Sequence, residues 1–136
     1  MDNTILKPQD LKSRKVIFIR SNLYYEGMSE QSLYDAFRWA WHVNDDRANK
    51  YDCVLGVSRN TVVACYHLPH WKRVTNQNCS LAPSHAKNPM GDIERCFFIC
   101  DDITQSDPLL GKTIAPGTFF APNARNPISY FPKDIR

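Results

Sequence analysis

Four consecutive apolar residues, Val16-Ile17-Phe18-Ile19, lie between the charged residues Lys15 and Arg20. Side chains alternate between the two faces of a β-strand, so this run is apolar on both faces. Such a pattern is typical of a strand buried inside a sheet. We therefore predict a central strand at residues 15–20, and the rest of the chain has to be arranged around it.

The segment after this strand predicts a helix. Ser29 is a favourable N-cap, and Glu30 suits the positive end of a helix. Met28 and Leu33 occupy the positions of a hydrophobic staple. One helical face then contains Leu33, Ala36, Phe37 and Ala40. We expect about three turns. Trp39 lies off this face, so it either packs on a second element or stays exposed for a partner.

Shorter apolar runs complete the pattern. Residues 53–57 and 61–68 flank the turn Ser58-Arg59-Asn60 and predict a β-hairpin. Residues 73–92 are rich in Asn, Ser and Pro and predict a long loop that is functional or mobile. Three more elements are expected: a strand at 95–100, a helical turn at 107–112 and a short strand at 128–131.

One early helix among several short strands predicts an α+β domain. We expect its sheet to curl into a small β-barrel, with one main N-terminal helix and short flanking helices. Residues 1–14 are polar and predict a flexible arm, and residues 15–136 predict a single domain.

Composition excludes several classes of protein. The 43% hydrophobic and 23% charged fractions exclude wholesale disorder. No apolar run approaches the roughly 20 residues of a membrane helix, and the N-terminus lacks a secretory pattern. Five cysteines cannot close a disulfide set, so we expect a reduced, cytoplasmic setting and no membrane partner. The net charge of +3 is concentrated in two mildly basic segments, residues 1–20 and 38–73.

Catalytic and metal sites find little support in the sequence. The one constellation suited to zinc is His67, His70, Cys79 and His85, because Cys53, Cys65, Cys96 and Cys100 all lie in apolar stretches. A small hydrolase or metal-independent ribonuclease using His67, His70 and His85 is an alternative. The five glycines form no phosphate-binding loop. We predict no catalytic residue, no bound metal and no cofactor.

Aromatic and basic residues alternate in two segments, a pattern suited to nucleic acid. Flat rings stack on bases, while guanidinium and ammonium groups hold phosphate. Core packing is the alternative for the tryptophans. The predicted walls or supports of a pocket are Trp39, Trp41 and Trp71. The predicted phosphate contacts are Arg38, Arg47, Lys72 and Arg73.

The order of these motifs resembles a group of small bacterial domains found alone or beside GIY-YIG-type and restriction-type nucleases. The resemblance covers the helix at 29–41, the strands at 51–57 and 62–71, and the turn Leu110-Gly111-Lys112. It ends with the segment Asn126-Pro127-Ile128-Ser129-Tyr130. That group is similar to the PUA-like superfamily, which includes PUA, ASCH, EVE and YTH domains.

The resemblance implies a small pseudobarrel that reads DNA or RNA without catalysis and accepts a flipped or modified base in an aromatic pocket. It adds Asn126 and Tyr130 to the expected nucleic-acid-binding residues. A nuclease is a possible protein partner. The alternative function is a protein-binding accessory or inhibitor protein of a mobile element or phage, which the exposed-type Tyr24, Tyr25 and Trp39 also suit.

Overall fold

The computed structural model describes residues 4–121 and 125–134. Within these ranges the strands are β1 (Val16–Arg20), β2 (Cys53–Ser58), β3 (Thr61–His67), β4 (His70–Arg73), β5 (Cys96–Ile99) and β6 (Ile128–Phe131). The α-helices are α1 (Glu30–Arg38) and α2 (Asp45–Ala48). Short 3-10 helices occur at Pro8–Leu11, Cys79–Leu81 and Pro89–Asp92. The predicted α+β class is confirmed.

The strands form two sheets. The larger has the order β3-β2-β1-β6, and the smaller pairs β4 with β5. Strands β1 and β2 run parallel, with Val16 opposite Cys53 and Arg20 opposite Val57. The pairs β1–β6, β2–β3 and β4–β5 are antiparallel. The predicted hairpin at Ser58-Arg59-Asn60 is therefore confirmed, while closure of the sheets into a barrel stays a prediction.

The predicted central strand is confirmed by the burial of β1. Val16, Ile17, Phe18 and Ile19 are each 0% exposed, and β1 lies between β2 and β6. Ile17 and Ile19 pack in the cluster that contains the buried face of α1. Val16 and Phe18 pack on the opposite side of the sheet, where Phe18 stacks on Phe119 with ring centroids 4.5 Å apart.

Helix α1 begins where the capping pattern predicts. The Ser29 side chain accepts a hydrogen bond from the backbone N–H of Ser32, and Leu33, Ala36 and Phe37 are buried. The helix ends at Arg38, short of three turns, because Trp39 is already extended. Trp39 is 5% exposed and packs with Val74 and Phe97 in a separate cluster. Of the two alternatives for Trp39, packing on a second element holds.

The described part of the predicted flexible arm, residues 4–14, packs against the sheet. Leu6 and Leu11 are each 1% exposed and lie in the cluster of Val16 and Phe18. The Leu6 backbone N–H also donates to the carbonyl of Thr113 at 2.8 Å. Burying a leucine contributes about 1.5–3 kcal/mol, which offsets the ordering of an otherwise polar segment. Residues 1–3 lie outside the described ranges.

The predicted loop at 73–92 is more ordered than its composition indicates. Arg73 belongs to β4, and the two 3-10 helices Cys79–Leu81 and Pro89–Asp92 follow. Ala82 and Ala86 pack against the cluster of Trp39. These contacts order part of the segment that the sequence predicts to be a loop.

The backbone edge of β3 that faces away from β2 forms hydrogen bonds with a side chain. The Cys65 backbone N–H donates to Gln105 Oε1 at 2.7 Å, and Gln105 Nε2 donates to the Cys65 carbonyl at 3.2 Å. The backbone N–H of Gln105 donates in turn to Glu30 Oε2 at 2.7 Å. This residue therefore connects β3 to the start of α1.

Both α-helices are short. Across residues 4–121 and 125–134, none of the helices combines the length and the apolar character that crossing a bilayer requires.

The substitution Gly56→Ala is expected to destabilise the fold. A Cβ atom at Gly56 would lie 2.8 Å from Cζ of Phe37, closer than two carbon atoms tolerate. Overpacking of this kind costs about 1–3 kcal/mol, measured as the free energy of unfolding in urea. In a Phe37→Leu background the cost of Gly56→Ala should shrink, because the contacting ring is gone. An equal cost in both backgrounds would contradict the contact.

Candidate functional site

Three chain segments meet at one end of the larger sheet. Because β1 and β2 are parallel, both strands end at the same side, and the antiparallel β6 begins there. Residues 21–24, 58–60 and 125–127 consequently surround a single depression. In sheets with parallel strands, ligands bind in the crevice outside the carboxyl ends of the strands. We refer to this depression as the strand-end cleft.

The strand-end cleft is large, basic and partly aromatic. Its volume is about 730 Å³. Three arginines line it, Arg20, Arg59 and Arg125, together with the aromatic residues Tyr24 and Trp41. None of the described residues that line it is acidic. The cleft therefore suits an anion with a flat apolar portion better than it suits a cation.

Arg20, the last residue of β1, is held in place at the cleft. Its guanidinium lies 4.2 Å from the centroid of the Phe120 ring. Its Nη2 donates to the carbonyl of Asn126 at 2.8 Å. A guanidinium held on an aromatic face loses less conformational entropy when it binds an anion.

Arg59 occupies a backbone conformation that an arginine rarely adopts. It has φ of +50° and Asn60 has φ of +63°, so the β2–β3 hairpin turns through two left-handed residues. Asn and Gly are the residues favoured in such turns, and strained backbone is concentrated at functional sites. Arg59 and Arg125 are both exposed, and neither forms an ion pair with an acidic residue in the described part of the chain.

Trp41 offers ring surface to the cleft. Its indole Nε1 already donates to the carbonyl of Phe37 at 2.8 Å. Its backbone N–H donates to the carbonyl of Cys96 at 2.8 Å, which holds the residue against β5. With the indole N–H satisfied, the half-buried ring is left for apolar or stacking contacts.

The predicted nucleic-acid-binding residues are only partly brought together. Trp41 lines the cleft, and Asn126 borders it through its hydrogen bond with Arg20. Arg38 lies elsewhere, paired with Asp35 at 2.8 Å and donating to the carbonyl of Leu81 at 2.9 Å. These contacts hold Arg38 between its own helix and the 3-10 helix Cys79–Leu81.

Trp39 and Trp71 are core residues in this structure. Trp39 Nε1 donates to Asp92 Oδ2 at 2.9 Å, and its ring contacts Phe97 with centroids 4.8 Å apart. Trp71 is 1% exposed and packs on Phe98 with centroids 5.1 Å apart. Because the Trp71 ring is buried, it cannot form the wall of a ligand pocket.

The remaining predicted residues occupy two other surfaces. The Arg47 guanidinium lies 3.7 Å from the centroid of the Tyr130 ring. Burial raises the pKa of Tyr130, and the charge of Arg47 opposes that rise. On β4, Lys72 is exposed and Arg73 pairs with Glu94 at 3.3 Å. Neither surface belongs to the strand-end cleft.

Sequence reasoning missed the three arginines of the cleft. Arg20 was read only as the charged end of a strand, and Arg59 only as part of a turn. The one local signal was Arg59 itself, since an arginine stands where a two-residue hairpin favours Asn or Gly. Their convergence depends on the parallel pairing of β1 and β2, which no local pattern predicts.

The four residues that the sequence offers as a zinc constellation are not brought together. Among the described residues, the cluster of metal-ligand type contains His67 with Cys53 and Cys65, and it includes none of His70, Cys79 and His85. His85 lines a separate depression beside Trp39. The three histidines of the hydrolase alternative are therefore not gathered into one site.

Cysteine chemistry is also limited by burial. Burial raises the pKa of the Cys96 and Cys100 thiols, and contact with Cys53 together with burial raises the pKa of Cys65. A thiol must ionise to act as a nucleophile, so these three are poor candidates for covalent catalysis.

No protein-family model, curated protein or solved structure matches this chain. The resemblance to PUA-like domains therefore remains an expectation, and functional inference depends on the geometry of the cleft.

Trp39→Ala is expected to lower the free energy of unfolding by about 3–5 kcal/mol, because it removes a buried ring and the hydrogen bond to Asp92. Urea denaturation measures the change. Tyr25→Ala is the control, since Tyr25 is 61% exposed and its loss should change stability by less than about 0.5 kcal/mol. Similar values for the two variants would place Trp39 outside the core.

Proposed function

We propose that this chain is a non-catalytic nucleic-acid-binding module that holds an unpaired or displaced base in the strand-end cleft. One observation carries the proposal: three arginines and two aromatic residues line one cleft that has no acidic side chain among its described lining residues. A PUA-like pseudobarrel is the fold that accompanies this proposal. The backbone contact between Trp41 and Cys96 joins the cleft to the smaller sheet, and this connection between the two sheets supports the pseudobarrel.

In this proposal the arginines bind the phosphate groups of the nucleic-acid backbone. A guanidinium presents parallel N–H groups that match two phosphate oxygens. Arg59 and Arg125 are exposed and lie on two different segments around the cleft. A phosphodiester chain that crosses the cleft can therefore contact a cation on each side of a base.

In this proposal the aromatic residues and side-chain amides bind the base. A cleft of about 730 Å³ falls within the roughly 300–1,000 Å³ range of small-molecule sites. Stacking of a base on an aromatic ring contributes about 1–3 kcal/mol, and Trp41 and Tyr24 supply rings. Asn22 and Asn60 add amide donors and acceptors for the edge of a base.

A protein-binding accessory or inhibitor is the second candidate, favoured by exposed apolar side chains next to the arginines. Leu23 lines the strand-end cleft and is 44% exposed, and the neighbouring Tyr25 is 61% exposed. Arginine and tyrosine are both enriched in protein interfaces. The two candidates differ in their response to salt, because phosphate contacts release counterions.

Arg59→Asn is expected to weaken binding of a single-stranded oligonucleotide about tenfold, because a charge-assisted contact is lost while asparagine suits the left-handed turn. The slope of log affinity against log salt should fall by about 0.7. Fluorescence anisotropy over a salt series measures both quantities. Lys12→Asn is the matched control, since Lys12 is also exposed, has φ of +52° and lies outside the cleft.

Equal losses of oligonucleotide affinity in the Arg59 and Lys12 variants would show that binding depends on net charge and not on the position of Arg59 in the cleft. Wild-type protein without salt-dependent affinity for DNA or RNA would favour the protein-binding candidate. Quenching of tryptophan fluorescence tests whether the ligand binds in the cleft. Trp41 lines the cleft and is half-buried, whereas Trp39 and Trp71 are buried. Trp41→Phe should remove the quenching.

A further inference from the structure

Cys53, Cys65 and His67 lie together at the end of β2 opposite the strand-end cleft. Cys53 and His67 are directly opposite each other across the β2–β3 pair, and Cys65 precedes His67 by two residues. Opposed residues and residues two apart share a face of a sheet, so the pairing places all three side chains on one side. Their sulfur and nitrogen atoms lie within 4.8 Å of one another.

The distances match the edges of a tetrahedron around zinc. The Cys53 and Cys65 sulfur atoms are 3.7 Å apart, and Cys65 Sγ is 3.6 Å from His67 Nε2. Zinc binds thiolate at about 2.3 Å and imidazole at about 2.0–2.1 Å, which places two sulfur ligands about 3.8 Å apart and sulfur and nitrogen about 3.5 Å apart. A disulfide would require the sulfur atoms to be about 2.05 Å apart.

Asp107, whose side chain is 4% exposed, lies beside this cluster, but its carboxylate is not part of the group whose ligand atoms all lie within 4.8 Å of one another. Its Oδ1 accepts a hydrogen bond from the backbone N–H of Leu109 at 2.9 Å, which fixes the carboxylate. Its Oδ2 lies 3.0 Å from His67 Nε2 and 2.9 Å from Arg14 Nη1. Arg14 thus pairs with the carboxylate and helps to hold it beside the cluster.

We propose that Cys53, Cys65 and His67 bind a zinc ion, with the Asp107 carboxylate next to His67 as the neighbouring acidic group. Two sulfur ligands and one imidazole favour zinc over the hard cations magnesium and calcium. Three protein ligands leave one position of the tetrahedron for water or for the Asp107 carboxylate, which lies 3.0 Å from His67 Nε2. Binding converts the two thiols to thiolates and releases their protons to solvent.

The site would join parts of the chain that are distant in sequence. Cys53, Cys65 and His67 belong to the β2–β3 hairpin, and Asp107 lies on the segment that follows β5. Asp107 also holds Arg14, which immediately precedes β1. A bound ion stabilises the folded chain in proportion to its affinity. This inference revises the expectation of no metal and is independent of the proposed function.

The test uses the full chain, reduced and freed of metal with a chelator, then titrated with Co²⁺ and Zn²⁺. Wild-type protein is expected to bind one Co²⁺, with sulfur-to-cobalt charge-transfer absorption and tetrahedral d–d bands, and Zn²⁺ should displace the cobalt. Zn²⁺ should also raise the melting temperature. Direct measurement of zinc in the purified chain, by mass spectrometry of the metal, gives the stoichiometry.

His67→Ala is the decisive variant, because the His67 side chain is 55% exposed and its loss is tolerated by the fold. Zinc affinity should fall more than about 100-fold. His70→Ala, three residues away and also exposed, is the matched control and should bind zinc as wild type does. Asp107→Asn should bind at least about tenfold more weakly than wild type.

The proposal is overturned if the wild-type chain shows no sulfur-to-cobalt absorption, or if His67→Ala retains wild-type affinity. It is also overturned if the chain isolated under reducing conditions contains a Cys53–Cys65 disulfide, detected as a mass lower by two hydrogens.

Discussion

Burial of β1 on both faces is the constraint on which this structure depends. Four consecutive side chains, Val16 to Ile19, have to be kept from water on both sides of the sheet. Helix α1 covers one side, and residues 4–14 with the segments around Leu109 and Phe119 cover the other. Because β1 has β2 and β6 as neighbours, its backbone groups are satisfied within the sheet. Most of the chain is thus arranged as cover for one five-residue strand.

Because β1 and β2 are parallel, the two ends of the larger sheet carry different kinds of side chains. At the carboxyl ends of these strands, connecting segments diverge and leave room for the strand-end cleft. At the opposite end, the start of β2 faces the end of β3 and brings Cys53 beside His67. Arginine side chains are concentrated at the first end, and sulfur and imidazole at the second. Strand β2 is six residues long, so the two ends are separated by roughly 17 Å.

The elements that sequence predicted correctly are those determined by nearby residues. The apolar run of β1, the Ser29 cap of α1 and the turn at Arg59-Asn60 each leave a local pattern, and the structure contains all three. Trp39 was placed off the face of a helix that in fact ends before it, and a distant element, Phe97, buries it. The strand-end cleft could not be predicted, because its residues come from four segments that are far apart in the chain. The burial of Cys53 and Cys65 was predicted correctly, but their approach to His67 could not be predicted, because it depends on strand register.

The side-chain amide of Gln105 has a consequence for how this protein behaves in a crowded solution. Strand β3 is the last strand on its side of the larger sheet, and such strands invite pairing with other chains. Gln105 occupies the N–H and carbonyl of Cys65 as a neighbouring strand would. An incoming strand has to displace this amide, and with it the bond from Gln105 to Glu30, before it can extend the sheet. Gln105 therefore blocks strand pairing at Cys65, and the backbone of residues 111–112 blocks it at Val62.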